Sequence, residues 1–172
     1  VGIHGALEGA LHYAENSTSL SRTHFALWLL EKGHVKNYQE AFDKYLKPGR
    51  PGYARVEWPA TVDAVRFIRE EGGVAVLAHP GRYEFSADWM SDQLLEDFKA
   101  AGGEAIEVTS GSQSRATDII FAQKAREMGF LASTGSDWHS PRSARPSPGM
   151  QPALPKDLTP VWVKFGYPRD MD

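Results

Sequence analysis

The chain has 172 residues, 41% of them hydrophobic and 24% charged, which is enough to bury the core of one domain, or of one domain with a small appendage. Its formal net charge of -3 argues against a general electrostatic grip on nucleic acid and leaves only local contacts. Cysteine is absent, which removes disulfide frameworks and thiolate metal sites; no run approaches a membrane span and no signal peptide is visible, so a cytoplasmic protein without a membrane partner is expected.

In chain order, Leu7, Leu11 and Tyr13 suggest a short amphipathic helix from Gly5 to about Asn16. Ser21 is a good N-cap for a helix over Arg22–Lys32, closed by Gly33, with Phe25, Trp28 and Leu29 as its packing face. Tyr38–Leu46 reads as another helix. Lys47-Pro48-Gly49-Arg50-Pro51-Gly52 ends it as a loop and candidate hinge. Lys44, Lys47, Arg50 and Arg55 gather positive charge there, which is either a solvated face or a grip on a phosphorylated ligand.

Thr61 then caps a helix through Glu71, with Val62, Val65 and Ile68 on one face and Gly72-Gly73 as its stop. Strand Val74–Ala78, a helix over Ala87–Ala101, strand Ala105–Val108, a polar loop over Thr109–Gln113, a helix from Ser114 to Met128 and a strand over Leu131–Ser133 follow. This alternation is the mark of a parallel sheet or part of a barrel. The apolar face of the Ser114 helix is expected at Ile119, Ile120, Phe121, Ala125 and Met128. Glu107 is an acid within an apolar strand and either faces an edge or points into the barrel mouth. Pro141–Pro155 reads as irregular, and Val161–Phe165 as a last strand with alternating faces.

Two strand ends carry the chemistry. His79 closes the Val-rich strand at the break His79-Pro80-Gly81, and Gly135-Ser136-Asp137-Trp138-His139 closes another. The carboxyl end of a parallel strand is where α/β folds build sites. Asp137 and His139 are two residues apart and point the same way in an extended segment. A histidine at one strand end and an Asp-x-His at another suit part of a metal site with N and O ligands. Taken singly, each has a blander reading, since a lone histidine after a strand is often structural and D-x-H strings are common in loops. The expectation is that His79, Asp137 and His139 converge at the carboxyl ends of adjacent parallel strands.

Ala78-His79-Pro80-Gly81-Arg82 and Gly135-Ser136-Asp137-Trp138-His139 resemble the third and fourth metal motifs of the PHP (polymerase and histidinol phosphatase) family. Upstream, Ser21-Arg22-Thr23-His24-Phe25-Ala26, Lys44-Tyr45-Leu46 and Gly49-Arg50-Pro51-Gly52-Tyr53 resemble the helical insertion of its branch of 3',5'-nucleoside bisphosphate phosphatases and 5'-3' exoribonucleases. The likeness runs from about Gly5 to about His139. The H-x-H strand, T-D-H segment and further Glu and His ligands of that family have no counterpart here, and the chain starts with Val1. The resemblance therefore implies the carboxyl-terminal part of a distorted (β/α)7 PHP barrel of α/β class, with residues 1–54 as a helical insertion (cap) subdomain and 55–172 as the αβ part with an irregular tail.

It also implies divalent ions, as a trinuclear Mn, Mg, Fe or Zn site in the complete protein, with His79, Asp137 and His139 as ligands. Arg82 would hold a phosphate oxygen, and Arg22, His24 and Lys44 would face a nucleotide or short oligoribonucleotide. The partner would be the missing amino-terminal half, or a second copy. A half barrel would expose its sheet edge and apolar faces. Two other readings stay open: an inactive module lacking the upstream ligands, and an amidohydrolase-like metal hydrolase.

Overall fold

A computed structural model describes residues 2–55, 57–139 and 145–169, which divide after Trp58 into two tightly packed units. Residues 141–144 of the segment expected to be irregular lie outside the described residues; over 145–159 there is no helix or strand, in keeping with its proline content.

The first unit is helical. α1 (Ala6–Leu11) lies against α2 (Arg22–Glu31) so closely that a Cβ on Gly9 would overlap the indole of Trp28, so glycine is required there. α1 is shorter than its apolar pattern suggested because Asn16 starts a separate turn, accepting the amides of Thr18 at 3.0 Å and Ser19 at 2.9 Å. α3 (Tyr38–Ala41) begins where Asn37 accepts the Glu40 amide at 2.9 Å. It passes into one π-helical turn over Phe42–Leu46, closed by Lys47 N–H donating to Phe42 O at 2.9 Å. Lys47 precedes Pro48 and is extended (φ -74°, ψ 161°), which stops the helix. The Pro48–Gly52 loop folds back within this unit, with Gly52 N–H donating to Tyr45 O at 2.8 Å. The expected hinge is thus internal, and the division falls after Trp58 rather than after residue 54. Ala26, Trp28, Leu29, Val35, Ala41 and Leu46 form the core.

The second unit is an α/β layer. α4 (Thr61–Glu70) has Ala60 as N-cap, so Thr61 is the first helical residue rather than the cap. It ends on Gly72 (φ 78°), with Gly73 N–H returning to Ile68 O at 2.8 Å. The sheet has three parallel strands in the order β1 (Val76–Leu77), β2 (Ala105–Ser110) and β3 (Leu131–Gly135). α5 (Trp89–Ala100) and α6 (Arg115–Met128) supply the crossovers, and Gly129 (φ 64°) stops α6. β1 is shorter than expected. β2 and β3 run further, taking Thr109 and Ser110 out of the expected loop. Central β2 is buried along nearly its whole length and packs against Leu95, Phe98, Phe121 and Phe130.

Helix faces depart from the hydrophobicity pattern. Ile119 and Ile120 are 61% and 52% exposed, while α6 buries Asp118, Phe121, Ala122 and Ala125. Those positions follow the i, i+3, i+4, i+7 rule, with a buried acid holding the first place. In α4 only Val65 of the expected apolar three is buried. The last expected strand does not form: Pro160 makes a single parallel bridge to Ala132, and Val161–Phe165 is a 3₁₀ turn. A ladder cannot continue from a residue without an N–H and with φ set by its ring. Among the described residues no helix is long and apolar enough to cross a membrane.

Candidate active site

The carboxyl end of the sheet collects the polar side chains. His79, two residues past β1, adopts a left-handed backbone (φ 31°), as does Asp137, two residues past β3 (φ 50°). These are the only such non-glycine residues among those described. Each conformation costs about 1–3 kcal/mol and persists where surrounding structure enforces it, commonly at functional sites. At His79 the enforcement is visible. Glu107 Oε2 accepts its amide at 2.9 Å, and the 3₁₀ turn Pro80–Arg82 returns Arg82 N–H to His79 O at 3.0 Å.

The next residue in the turn is equally constrained. Gly81 N–H donates to Gln113 Oε1 at 2.9 Å, and a Cβ on Gly81 would meet Thr117 and come within 2.7 Å of that same oxygen. Gln113 is itself anchored, donating to buried Asp118 at 3.2 Å. A register shift between Glu107 and Thr109 against β3 adds a residue to β2 just before its loop. Such bulges re-aim side chains at sheet ends.

Asp137 is the hub. Its Oδ2 accepts from Arg82 Nη1 at 2.9 Å and from Arg145 Nη1 at 2.8 Å. Burial alone would raise the Asp137 carboxyl, but a Ser112 hydrogen bond and the charges of Arg145, Arg82 and His79 together hold it below its ordinary value. The His139 side chain is 72% exposed; its Nδ1 lies 2.8 Å from Asp137 O and 3.5 Å from Oδ1. Tyr83 closes the other flank, its hydroxyl donating to Ala78 O at 3.1 Å. Burial, then the Glu107 charge, pushes the Tyr83 phenol up, so it stays protonated.

Arg82 and His139 thus meet the Asp137 carboxylate, which also feels the charge of His79. The strands that carry them are not neighbours, because β2 lies between β1 and β3. Arg22, His24 and Lys44 belong to the first unit. His24 Nδ1 accepts the Ser21 amide at 3.2 Å, and Lys44 pairs with Glu40 at 2.6 Å. Glu107 points to the His79 end of the sheet, one of the two directions its sequence position left open. Sequence reasoning passed over Ser112, Gln113 and Arg145. The first two occupy the loop after β2, where the rule that drew attention to His79 applies equally. Arg145 sits in a Pro- and Ser-rich stretch with no periodic signal.

The donor set is imidazole and carboxylate, which suits a divalent metal. Among the described residues buried His79 Nδ1 has no hydrogen-bond partner, which leaves it able to take a ligand. Among the described residues no three His, Asp or Glu side chains cluster closely enough to hold an ion by themselves. The residues present fit a share of a metal site.

A parallel α/β layer with imidazole, carboxylate and guanidinium groups at its strand carboxyl ends defines the class. No protein-family model matches the chain. It is 44% identical over 161 residues, 94% of its length, to the 3',5'-nucleoside bisphosphate phosphatase of Chromobacterium violaceum, covering 56% of that protein. It is 38% identical over 171 residues, 97% of its length, to the 5'-3' exoribonuclease Rnm of Salmonella typhimurium, again covering 56%. A solved structure described as an amidohydrolase from Chromobacterium violaceum, with bound sulfate and no metal, superposes with a TM-score of 0.83 at 42% identity over 96% of this chain and 57% of that one. These likenesses agree with the branch that the sequence motifs resemble, and the chain spans little more than half the length of these relatives.

Proposed function

We propose that this chain is part of a metal-dependent phosphoesterase that hydrolyses nucleotide phosphate esters, either 3',5'-nucleoside bisphosphates or short RNA from its 5' end, in the cytoplasm. The observation that carries this reading is the Asp137 hub: a largely buried carboxylate between two guanidiniums, with His139 beside it and the His79 charge acting on it. In the same reading the second unit is the carboxyl-terminal part of a distorted PHP barrel and the first unit is its cap.

His79, Asp137 and His139 would hold divalent ions of a trinuclear Mn, Mg, Fe or Zn cluster completed by ligands outside this chain. Such ions lower the pKa of bound water and neutralise phosphoryl oxygens. Arg82 uses one N–H on Asp137 and keeps further donors of its planar fork for a phosphate oxygen. The strained His79 backbone, tied to Glu107, keeps the ring fixed as the site is loaded. His139 lies open to an arriving group. Arg22, His24 and Lys44 would act on the substrate from the first unit. His24 does so only through Nε2, since its Nδ1 closes the helix start.

A second reading has one observation behind it: the similar solved structure described as an amidohydrolase implies cleavage of an amide. Assaying the whole protein with Mn, Mg or Zn against a 3',5'-nucleoside bisphosphate, a 5'-phosphorylated RNA oligomer and N-acyl amides separates the two. Phosphate or nucleotide release is expected, with Arg82→Ala lowering kcat/KM about 10- to 100-fold through loss of a charged hydrogen bond. Amide cleavage without release of phosphate or nucleotide would overturn the phosphoesterase reading. The 172-residue chain assayed alongside is expected to be far less active.

A further inference from the structure

Gln113, half-buried in the loop between β2 and α6, reaches across to the turn after β1, although the hydrolytic chemistry gives it no role. Its whole carboxamide is engaged. Oε1 accepts the Gly81 N–H at 2.9 Å, while Nε2 donates to Asp118 Oδ1 at 3.2 Å and to Val108 O at 3.4 Å. One acceptor and two donors on a single carbon are what an amide side chain provides; a glutamate would set a carboxylate against another carboxylate and a carbonyl. Asp118 is 4% exposed and also accepts the Ser110 amide at 3.4 Å. Packing alone does not account for an acid there. An apolar side chain would fill the same place on the buried face of α6 without the cost of burying a carboxylate.

We propose that Gln113, anchored on Asp118, is a positioning residue for phosphate ester hydrolysis: it holds the Gly81 amide and so sets the direction in which the next residue, Arg82, offers its guanidinium to a phosphate oxygen. Two features select this role over simple loop stability. The turn that Gln113 holds has no slack, because there is no room for one added carbon on Gly81 between Thr117 and the Gln113 oxygen. Arg82, by contrast, is a long side chain, 40% exposed, and among the described residues its guanidinium has one hydrogen bond, to Asp137. A flexible side chain held at one point takes its aim from the backbone that launches it. The inference rests on the phosphoesterase reading for its reaction and adds the residues that aim Arg82.

The test uses the whole protein with Mn and a 3',5'-nucleoside bisphosphate, in the variants Gln113→Leu, Arg82→Ala and the two combined. Gln113→Leu is expected to lower kcat/KM about tenfold. Added to Arg82→Ala it should cost less than about twofold more, because a residue that acts through Arg82 then has nothing left to aim. Asp118→Leu should resemble Gln113→Leu, and Asp118→Asn, whose amide oxygen still accepts both N–H groups, should restore activity. Gln113 lies in a loop, so its variants carry the test if Asp118→Leu does not fold. Losses that multiply fully in the combined variant would overturn the proposal, since a merely structural residue behaves that way. So would parental kcat/KM in Gln113→Leu. Inorganic phosphate binding to the metal-free whole protein, followed by calorimetry, reads Arg82 without hydrolysis, and Gln113→Leu is expected to weaken it about threefold or more. Phosphate affinity that depends on Arg82 but not on Gln113, or on neither, defeats this inference alone. Affinity that depends on both, in a protein that hydrolyses no phosphate ester, defeats the phosphoesterase reading alone.

Discussion

The helical unit and the sheet-bearing unit are held together over different distances along the chain. In the first, the helix caps and helical ion pairs are local: Asn16 and Asn37 cap their own turns, and the pairs Glu40–Lys44 and Asp43–Lys47 sit one helical turn apart, while the reach of Tyr13 to Glu31 and of Arg22 to Leu46 O is 18 and 24 residues. In the second, the site is closed by contacts between distant segments. His79 and Glu107 are 28 residues apart, Gly81 and Gln113 are 32, and Arg82 and Asp137 are 55. Local chemistry is enough to start and stop helices. Bringing an arginine from one strand end to a carboxylate at another requires the sheet register to be correct first.

The largest expected effect breaks that register at its centre. Ile106 is fully buried on β2, and Ile106→Ala is expected to cost about 2–5 kcal/mol in urea unfolding. Ile119→Ala on exposed α6 surface should stay within about 0.5 kcal/mol. If the two cost the same, β2 is not the centre of the core.

A smaller change strikes one long-range contact. Gly81→Ala puts a Cβ against Thr117 and the Gln113 carbonyl oxygen, so about 1–3 kcal/mol of overpacking is expected, with the Gly81–Gln113 hydrogen bond lost. An amide at position 81 as well protected from hydrogen exchange in the variant as in the parent would show that the turn is not clamped in this way.

In the first unit the counterpart is a cap. Asn37→Ala removes the acceptor for the Glu40 amide and should cost about 1 kcal/mol. Its signature is faster hydrogen exchange across α3, with amides of β2 unaltered. Faster exchange in β2 as well would contradict the local character assigned to this cap.

The smallest effect is a surface pair in the second unit. The hydrogen bond from Arg126 holds the Asp157 carboxyl below its ordinary value, with Arg126 Nη2 at 3.1 Å from Oδ1. A depressed folded value means the pair's contribution is present above the unfolded pKa of about 3.9 and is lost as pH falls through the lower folded value. The stability difference between the parent and Asp157→Asn should therefore shrink on acidification below about pH 4. A difference that grows there would reverse the sign of the argument. Because the pair is exposed, the effect should be small and weaken with salt.

Much of the helical architecture could be read from single residues. Ser21 and Asn37 precede helices, Gly33, Gly72 and Gly129 follow them with positive φ, and Pro48 accounts for the extended Lys47. These signals act within a turn or two of themselves, so the sequence by itself determined them. It also determined that His79 and Asp137 each follow a short apolar strand, because a run of small and branched residues broken by Pro or Gly is a local pattern. Tertiary structure decided the rest. That β2 stands between the two site strands, that Glu107 turns to the His79 amide, and that Arg145 reaches Asp137 all depend on register between segments far apart in sequence. The burial of Asp118 in place of Ile119 likewise depends on which face of α6 meets the sheet. The last expected strand was lost because Pro160 supplies no N–H to extend the ladder, although the alternation after it is real. Hydrophobic periodicity reports what a segment could bury; the neighbours supplied by the fold decide what it does bury.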